Sequence, residues 1–277
     1  MDPHAGFDPK NERLPKILGE PELPQSATAA ELISKHGVDP ASLKGIIWSH
    51  CHVDHYGNLD DYPTHVPVYV GEGSLSWLNG GDEAEGGLAS FPSHFLTGGW
   101  KYTEIGASNK QFKKTSIGPF EEAWDFFGDG SAYIIKAEGH CPGHLCLLVR
   151  VNDNGDWALL AGDAAHSQSL YWPAPPAPYS VEKDLRSVPG QFKFSPDATT
   201  YSCMQDFPEK AFKTLSSLTR LEMEKNVIVL PAHEIEATNA VNLKLGGTYN
   251  LSEYGRDGLK KMKADLGQKR HDELQKL

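Results

Sequence analysis

His50-Cys51-His52-Val53-Asp54-His55 sets four potential metal ligands, three imidazoles and a carboxylate, within six positions. It directly follows Gly45-Ile46-Ile47-Trp48-Ser49, a short apolar run that reads as a buried strand, so the ligands stand where a strand ends. Side chains alternate along an extended chain, so His50 and His52 project to the same side and can share one ion. Asp54 and His55 are adjacent and can address a second ion only if the chain turns after His52. Tyr56-Gly57-Asn58 supplies suitable turn chemistry just beyond. A patch of surface histidines in a polar loop is the bland alternative, and the density of donors at a strand end argues against it.

Three further apolar runs each end in a candidate ligand. Tyr133-Ile134-Ile135-Lys136-Ala137 leads into Gly139-His140-Cys141-Pro142-Gly143-His144, where proline and glycine fix a tight loop that presents an imidazole. Trp157-Ala158-Leu159-Leu160-Ala161 leads into Gly162-Asp163, and Asn226-Val227-Ile228-Val229-Leu230 leads into Pro231-Ala232-His233. Singly, His144, Asp163 and His233 are ordinary loop residues. Together, at the ends of strand-like runs and behind the first motif, they form a candidate site. Asn152-Asp153-Asn154-Gly155 between two such runs is a hairpin signal, which predicts that His144 and Asp163 share one end of a strand pair.

These motifs resemble the metallo-β-lactamase superfamily, closest to its lactonase-like branch, over roughly residues 45–235. The resemblance implies a four-layered αβ/βα sandwich with a metal site at one rim. It implies that His50, His52 and His144 hold a first zinc, that Asp54, His55 and His233 hold a second, and that Asp163 bridges both. The two Zn2+ ions per chain imply a hydrolase working through a metal-bridging hydroxide, with Asp54 as the group that takes up and returns its proton. His166 either faces the carbonyl or leaving group from the rim or hydrogen-bonds within its loop. The chain departs from the family pattern in three places. Only 49 residues precede His50 where several strands and a D-x-G loop are usual, so the chain reads as an amino-terminally shortened member with its first strands missing or reduced. Cys141 stands where threonine is usual, and His166 stands where lactonases acting on acyl-homoserine lactones often carry tyrosine.

Length and charge bound the rest. The 277 residues support one large α/β domain over 1–277. Lys and Arg total 26 against 37 Asp and Glu, a net charge of −11, which disfavours a nucleic-acid surface and suits a small neutral or apolar substrate. Cys51, Cys141, Cys146 and Cys203 form no C-x-x-C pair and no disulfide framework, as expected of a cytoplasmic protein. No signal-peptide pattern opens the sequence and no stretch is long and apolar enough to cross a bilayer.

A coarse pass predicts a helix from Ala27 to Lys35 capped by Ser26, a strand over Val66 to Val70, a short helix from Glu72 to Leu78, and a long irregular stretch over residues 80–130. There Phe91, Phe95, Trp100, Trp124, Phe126 and Phe127 either roof an apolar pocket or pack the insert down. The proline-dense run from Tyr171 to Tyr179 reads as a stiff wall. Pro208 to Lys225 is an amphipathic helix with Phe212, Leu215, Leu218 and Leu221 inward, and Arg256 to Leu277 a charged helix whose cations form a solvated face. The favoured function is opening of a cyclic ester or amide. Alternatives are a mononuclear iron dioxygenase acting on persulfides, a glyoxalase-like thioesterase, and a shortened non-catalytic metal-binding member. The sequence leaves oligomeric state open.

Overall fold

Ile46–Ile47 (β1) is only two residues long, and it is held by pairing in parallel with Val68–Gly71 (β2), Ile46 opposite Val68 and Ile47 opposite Tyr69. β2 pairs in turn with Tyr102–Ile105 (β3), also in parallel. The computed structural model describes residues 27–79, 92–172, 192–194, 201–203, 205–234, 238, 241, 247–253 and 258–274. Cα proximity divides the chain into two compact units, residues 1–109 and 110–277.

In residues 1–109 the first helix among the described residues is Ala29–Lys35 (α1). Its cap is Thr28 rather than Ser26, which lies outside the described residues: Thr28 accepts the Glu31 N–H and Glu31 reaches back to the Thr28 N–H, a reciprocal pair that satisfies two otherwise orphaned amides. Before β1 the described residues hold this helix and a 3-10 turn at Pro40–Ser42, and no strand; the expectation of missing or reduced first strands falls also on residues 1–26, which lie outside the described residues. Its core gathers Trp48, Tyr56, Leu59, Val68, Val70 and Phe95. The short helix after β2 runs Ser74–Asn79 (α2), and Ser93–Thr97 (α3) precedes β3.

In residues 110–277 a six-stranded sheet has the order β11-β8-β7-β6-β5-β4. Its strands are Lys113–Ile117 (β4), Phe120–Asp125 (β5), Ala132–Lys136 (β6), Leu145–Arg150 (β7), Trp157–Gly162 (β8) and Val227–Pro231 (β11). β4 to β8 run antiparallel, and β11 adds in parallel to β8. A separate hairpin pairs Phe192–Phe194 (β9) with Tyr201–Cys203 (β10). Pro208–Glu222 (α4) lays Leu215, Leu218 and Leu221 on Ala123, Ile135, Leu148, Leu159 and Val229, each leucine contributing about 1.5–3 kcal/mol on burial. Because alternate residues face opposite sides of a strand, Ile228 and Ala158 turn the other way, where Leu259 of Leu259–Leu274 (α5) meets them.

Two expectations need correcting, for the stretch 80–130 and for the cations of α5, and one open choice, for the aromatic residues, is decided. The stretch 80–130 is largely regular from Pro92 onward, with α3, β3, β4 and β5 in it. β4 reads Lys113-Lys114-Thr115-Ser116-Ile117, a mostly polar edge strand with no apolar alternation to betray it. The aromatic residues pack rather than roof: Phe95 and Trp124 are wholly buried and Trp100 packs against the first core, while Phe126 stacks on Phe112 and Phe127 is exposed. Phe91 and residues 173–179 of the proline-dense run lie outside the described residues. The cations of α5 do not all face solvent, since Lys263 is wholly buried and Lys260 half-buried.

Candidate metal centre

In residues 1–109 the ligand loop begins where β1 and Trp48 end. The Trp48 N–H donates to the Tyr69 carbonyl, which carries the strand pairing up to Ser49. The backbone then turns, with the His55 N–H donating to the His52 carbonyl at 3.0 Å, the turn that separates the first ligand pair from the second. His50 is buried and His52 half-buried, with His50 Nε2 and His52 Nδ1 3.0 Å apart. The His50 and His55 rings lie 4.1 Å apart between centroids. The Ser49 hydroxyl sits 3.1 Å from His50 Nδ1 and 3.4 Å from His55 Nδ1, so one side chain orients two imidazoles. Asp54 is half exposed, its Oδ2 3.6 Å from His55 Nε2.

In residues 110–277 sheet order does the assembling. The antiparallel hairpin sets Leu147 opposite Leu160, so the start of β7 and the end of β8 lie side by side and His144 meets Asp163. His144 Nδ1 is 3.0 Å from the Ala137 carbonyl; an oxygen there only accepts, so Nδ1 carries the proton and Nε2 holds the lone pair. That Nε2 accepts the Asp163 backbone N–H at 3.0 Å. The parallel neighbour β11 brings its carboxyl end to the same place, and the Ala232 N–H donates to the Gly162 carbonyl. His233 Nε2 thereby reaches 3.4 Å from Asp163 Oδ2.

Two other imidazoles join it on that oxygen. His166 Nε2 lies 3.2 Å and His140 Nε2 3.5 Å from Asp163 Oδ2, and the carboxylate is 3% exposed. One ligand atom each from His140, Asp163 and His166 falls within 4.8 Å of the others. His166 here engages the Asp163 carboxylate. His140 was not among the sequence candidates, although it opens the H-x-P-G-H loop four residues before His144. Ser49 was also missed, a hydroxyl just before the motif that gives no sequence signal of its own.

The donor set fits a borderline divalent cation. It is made of imidazoles and one carboxylate, and the carboxylate is buried where a charge requires compensation. His166 Nδ1 is likewise buried and meets no hydrogen-bond partner among the described residues. Cys51, Cys141 and Cys146 are buried thiols, and burial pushes the Cys51 thiol up to about 12, so it is a neutral filler in the metal-free chain. No helix of the described residues is long and apolar enough to cross a membrane.

Known proteins are similar to this chain. The gamma-lactamase FDB1 of Fusarium pseudograminearum is 28% identical over 236 residues, 77% of this chain and 55% of that protein. The metallo-hydrolase mfmC of Annulohypoxylon moriforme is 29% identical over 223 residues, 75% of this chain and 57% of that protein. The chain spans well under two thirds of the length of the curated relatives it matches. Among solved structures, the Bacillus thuringiensis protein AiiA with N-decanoyl-L-homoserine bound at its active site superposes with a TM-score of 0.50 at 18% identity, covering 76% of this chain and 64% of that one, which shows the mixed α/β fold. Residues 14–233, most of the 277, match the family described as the metallo-beta-lactamase superfamily. A match of that extent, with the H-x-H-x-D-H loop standing at the end of a strand, places this chain in the metallo-beta-lactamase superfamily.

Proposed function

We propose that this chain is a dinuclear zinc hydrolase that opens a cyclic ester or amide, a lactone or a lactam. The observation that carries the reading is Asp163, a buried carboxylate on which the imidazoles of His140, His166 and His233 converge. On this reading residues 1–277 act as one domain. His50, His52 and His144 hold one zinc, Asp54, His55 and His233 hold the other, and Asp163 serves both. Two divalent cations held by these residues would lower the pKa of a bound water, to about 7 in favourable sites, and would polarise a substrate carbonyl. Asp54, half exposed beside His55, takes up the proton and returns it to the leaving atom. His166 steadies Asp163 and presents its ring to the departing group.

A relative named for gamma-lactam chemistry and a fold neighbour with an acyl-homoserine bound support a ring-opened carbonyl as the reaction type. The acidic surface, net −11, suits a small neutral or apolar substrate and no nucleic acid. The buried thiols suit a cytoplasmic setting. The test is metal analysis of the purified chain together with a panel of lactones and lactams. Two equivalents of zinc and ring opening are expected, both reduced in His50→Ala and Asp163→Ala. Two equivalents of zinc with no ring opened overturns the reading, and one iron without zinc points to persulfide oxidation instead.

A further inference from the structure

We propose that the carboxyl-terminal helix α5 is a positioning element for the metal-binding segment that follows β8, acting through the buried contact of Lys263 with Glu222 and Tyr171. The inference rests on the reading of Asp163 as a metal ligand. Lys263 is 0% exposed, Glu222 3% and Tyr171 0%. Lys263 Nζ donates to Glu222 Oε2 at 3.0 Å and to the Tyr171 hydroxyl at 3.2 Å. A buried ammonium and carboxylate lose their hydration, and such a pair is a poor stabiliser compared with apolar residues of the same volume. Its worth has to be sought in what it holds in place.

What it holds is the far end of the ligand segment. Asp163 and His166 run into a 3-10 turn at Gln168–Leu170 and then Tyr171. The Tyr171 N–H donates back to the Gln168 carbonyl, tying the residue to that turn. The Tyr171 carbonyl accepts the Thr219 hydroxyl of α4 at 2.6 Å, while its own hydroxyl meets Lys263 of α5. Tyr171 is therefore clamped at its backbone by one helix and at its ring tip by another. α5 also lies close against the turn itself: a Cβ on Gly267 would come within 2.7 Å of the wholly buried Gln168 amide.

The same helix braces the strand that delivers His233. Lys260 donates to the carbonyls of Glu222 at 2.8 Å and Glu224 at 2.7 Å, and to that of Val227. Glu222 is the last residue of α4, Glu224 lies in the connection and Val227 opens β11, so the ammonium caps a helix end and ties it to the entry into the strand. One helix thus supports both segments, after β8 and through β11, that bring Asp163 and His233 together.

The experiment measures metal affinity and stability separately in the full chain. Cobalt(II) binding is followed by its visible absorption and zinc affinity by chelator competition, beside metal-free thermal melts, for Tyr171→Phe, Thr219→Val and the neutralised double variant E222Q/K263M. Tyr171→Phe and Thr219→Val are expected to lose about tenfold in metal affinity, as partners that orient a ligand do, while the metal-free proteins melt cooperatively near the native temperature. A Tyr171→Phe affinity within about twofold of native overturns the proposal, whatever Thr219→Val and the melts show, because a merely structural brace moves stability alone. If E222Q/K263M does not fold, Tyr171→Phe decides. Asp163→Ala is the control: if it binds metal as the native chain does, the proposed centre itself falls, whereas if it loses metal and Tyr171→Phe does not, only the role of α5 falls.

Discussion

The candidate ligands of residues 1–109 lie in one loop of six positions, with a serine beside them, whereas those of residues 110–277 come from separate segments between His140 and His233 and meet only because of sheet order. The first arrangement is local chemistry and needs little more than a strand end and a turn. The second depends on an antiparallel pairing of β7 with β8, a parallel pairing of β8 with β11, and helices that hold the connecting loops. Substitutions should therefore act by different routes in the two regions: by donor loss in the first, and by donor loss or by distant displacement in the second.

The largest effect expected is at Asp163. If it serves both ions, Asp163→Ala should lower bound zinc toward zero and abolish ring opening, while His50→Ala should remove one equivalent and leave the other. Each loss should exceed the roughly 10–100-fold change in affinity typical of residues that only orient a ligand. Metal stoichiometry measured by elemental analysis at stepwise zinc activities checks this. Equal loss in the two variants would erase the distinction between a shared and an unshared ligand.

Distant displacement is testable at Gly139. Its φ is +137°, and a Cβ there would lie 2.3 Å from Ala211 Cα and 2.4 Å from its amide nitrogen, both rigid backbone atoms of α4. The loop is further tied to α4's start, since the Gly139 and His140 carbonyls accept the Phe207 and Asp206 amides. Gly139→Ala should cost about 1–3 kcal/mol in a urea melt and shift His140 and His144 together. In residues 1–109 the counterpart is Gly45, whose added Cβ would meet the Tyr69 ring at 2.4 Å and backbone only at the Pro67 carbonyl, 3.2 Å away, so Gly45→Ala should cost less because a ring edge can give way. A larger cost at Gly45 would reverse the comparison.

The same contrast explains what a reader of the sequence can and cannot see. H-x-H-x-D-H is visible because neighbours in sequence are neighbours in the site. The hairpin signal at Asn152 to Gly155 predicts correctly that β7 and β8 pair, and with it the contact of His144 with Asp163. His140 stayed hidden because two imidazoles in one loop give no clue to which one faces a carboxylate twenty residues on. Lys263 was read as solvated because helix periodicity locates charges but not their partners: Glu222 is forty-one residues away in sequence and adjacent only after α4 and α5 pack. The polar strand β4 carried no apolar alternation, so only its pairing with β5 reveals it.

Local orientation in residues 1–109 is testable at Ser49, whose hydroxyl approaches Nδ1 of both His50 and His55. Ser49→Ala removes no ligand. It should weaken zinc binding by roughly 10–100-fold, the effect of losing an outer partner that fixes ring orientation, with melting almost unchanged. Chelator competition measures it, and an unchanged affinity would mean that the loop backbone alone sets the two rings.

The smallest effect should come from the polar edge of the larger sheet. Glu122 on β5 lies 2.8 Å from Lys114 of β4 and 3.7 Å from Lys136 of β6. The hydrogen bond from Lys114, helped by Lys136, holds its carboxyl below the usual carboxylate range. A group depressed in the folded state stabilises it above its unfolded pKa and loses that contribution as pH falls through the folded value. Glu122→Gln should therefore cost at most about 1 kcal/mol in urea melts at neutral pH, as partly exposed pairs do, and the difference from native should shrink in acid. Since Glu122 pairs with Lys114 and Lys136 and with no candidate ligand, zinc affinity should stay at the native value. A fall in affinity would mean that strain at the sheet's far edge reaches Asp163 through the strands between, and that the second region is more tightly coupled than its helical braces alone require.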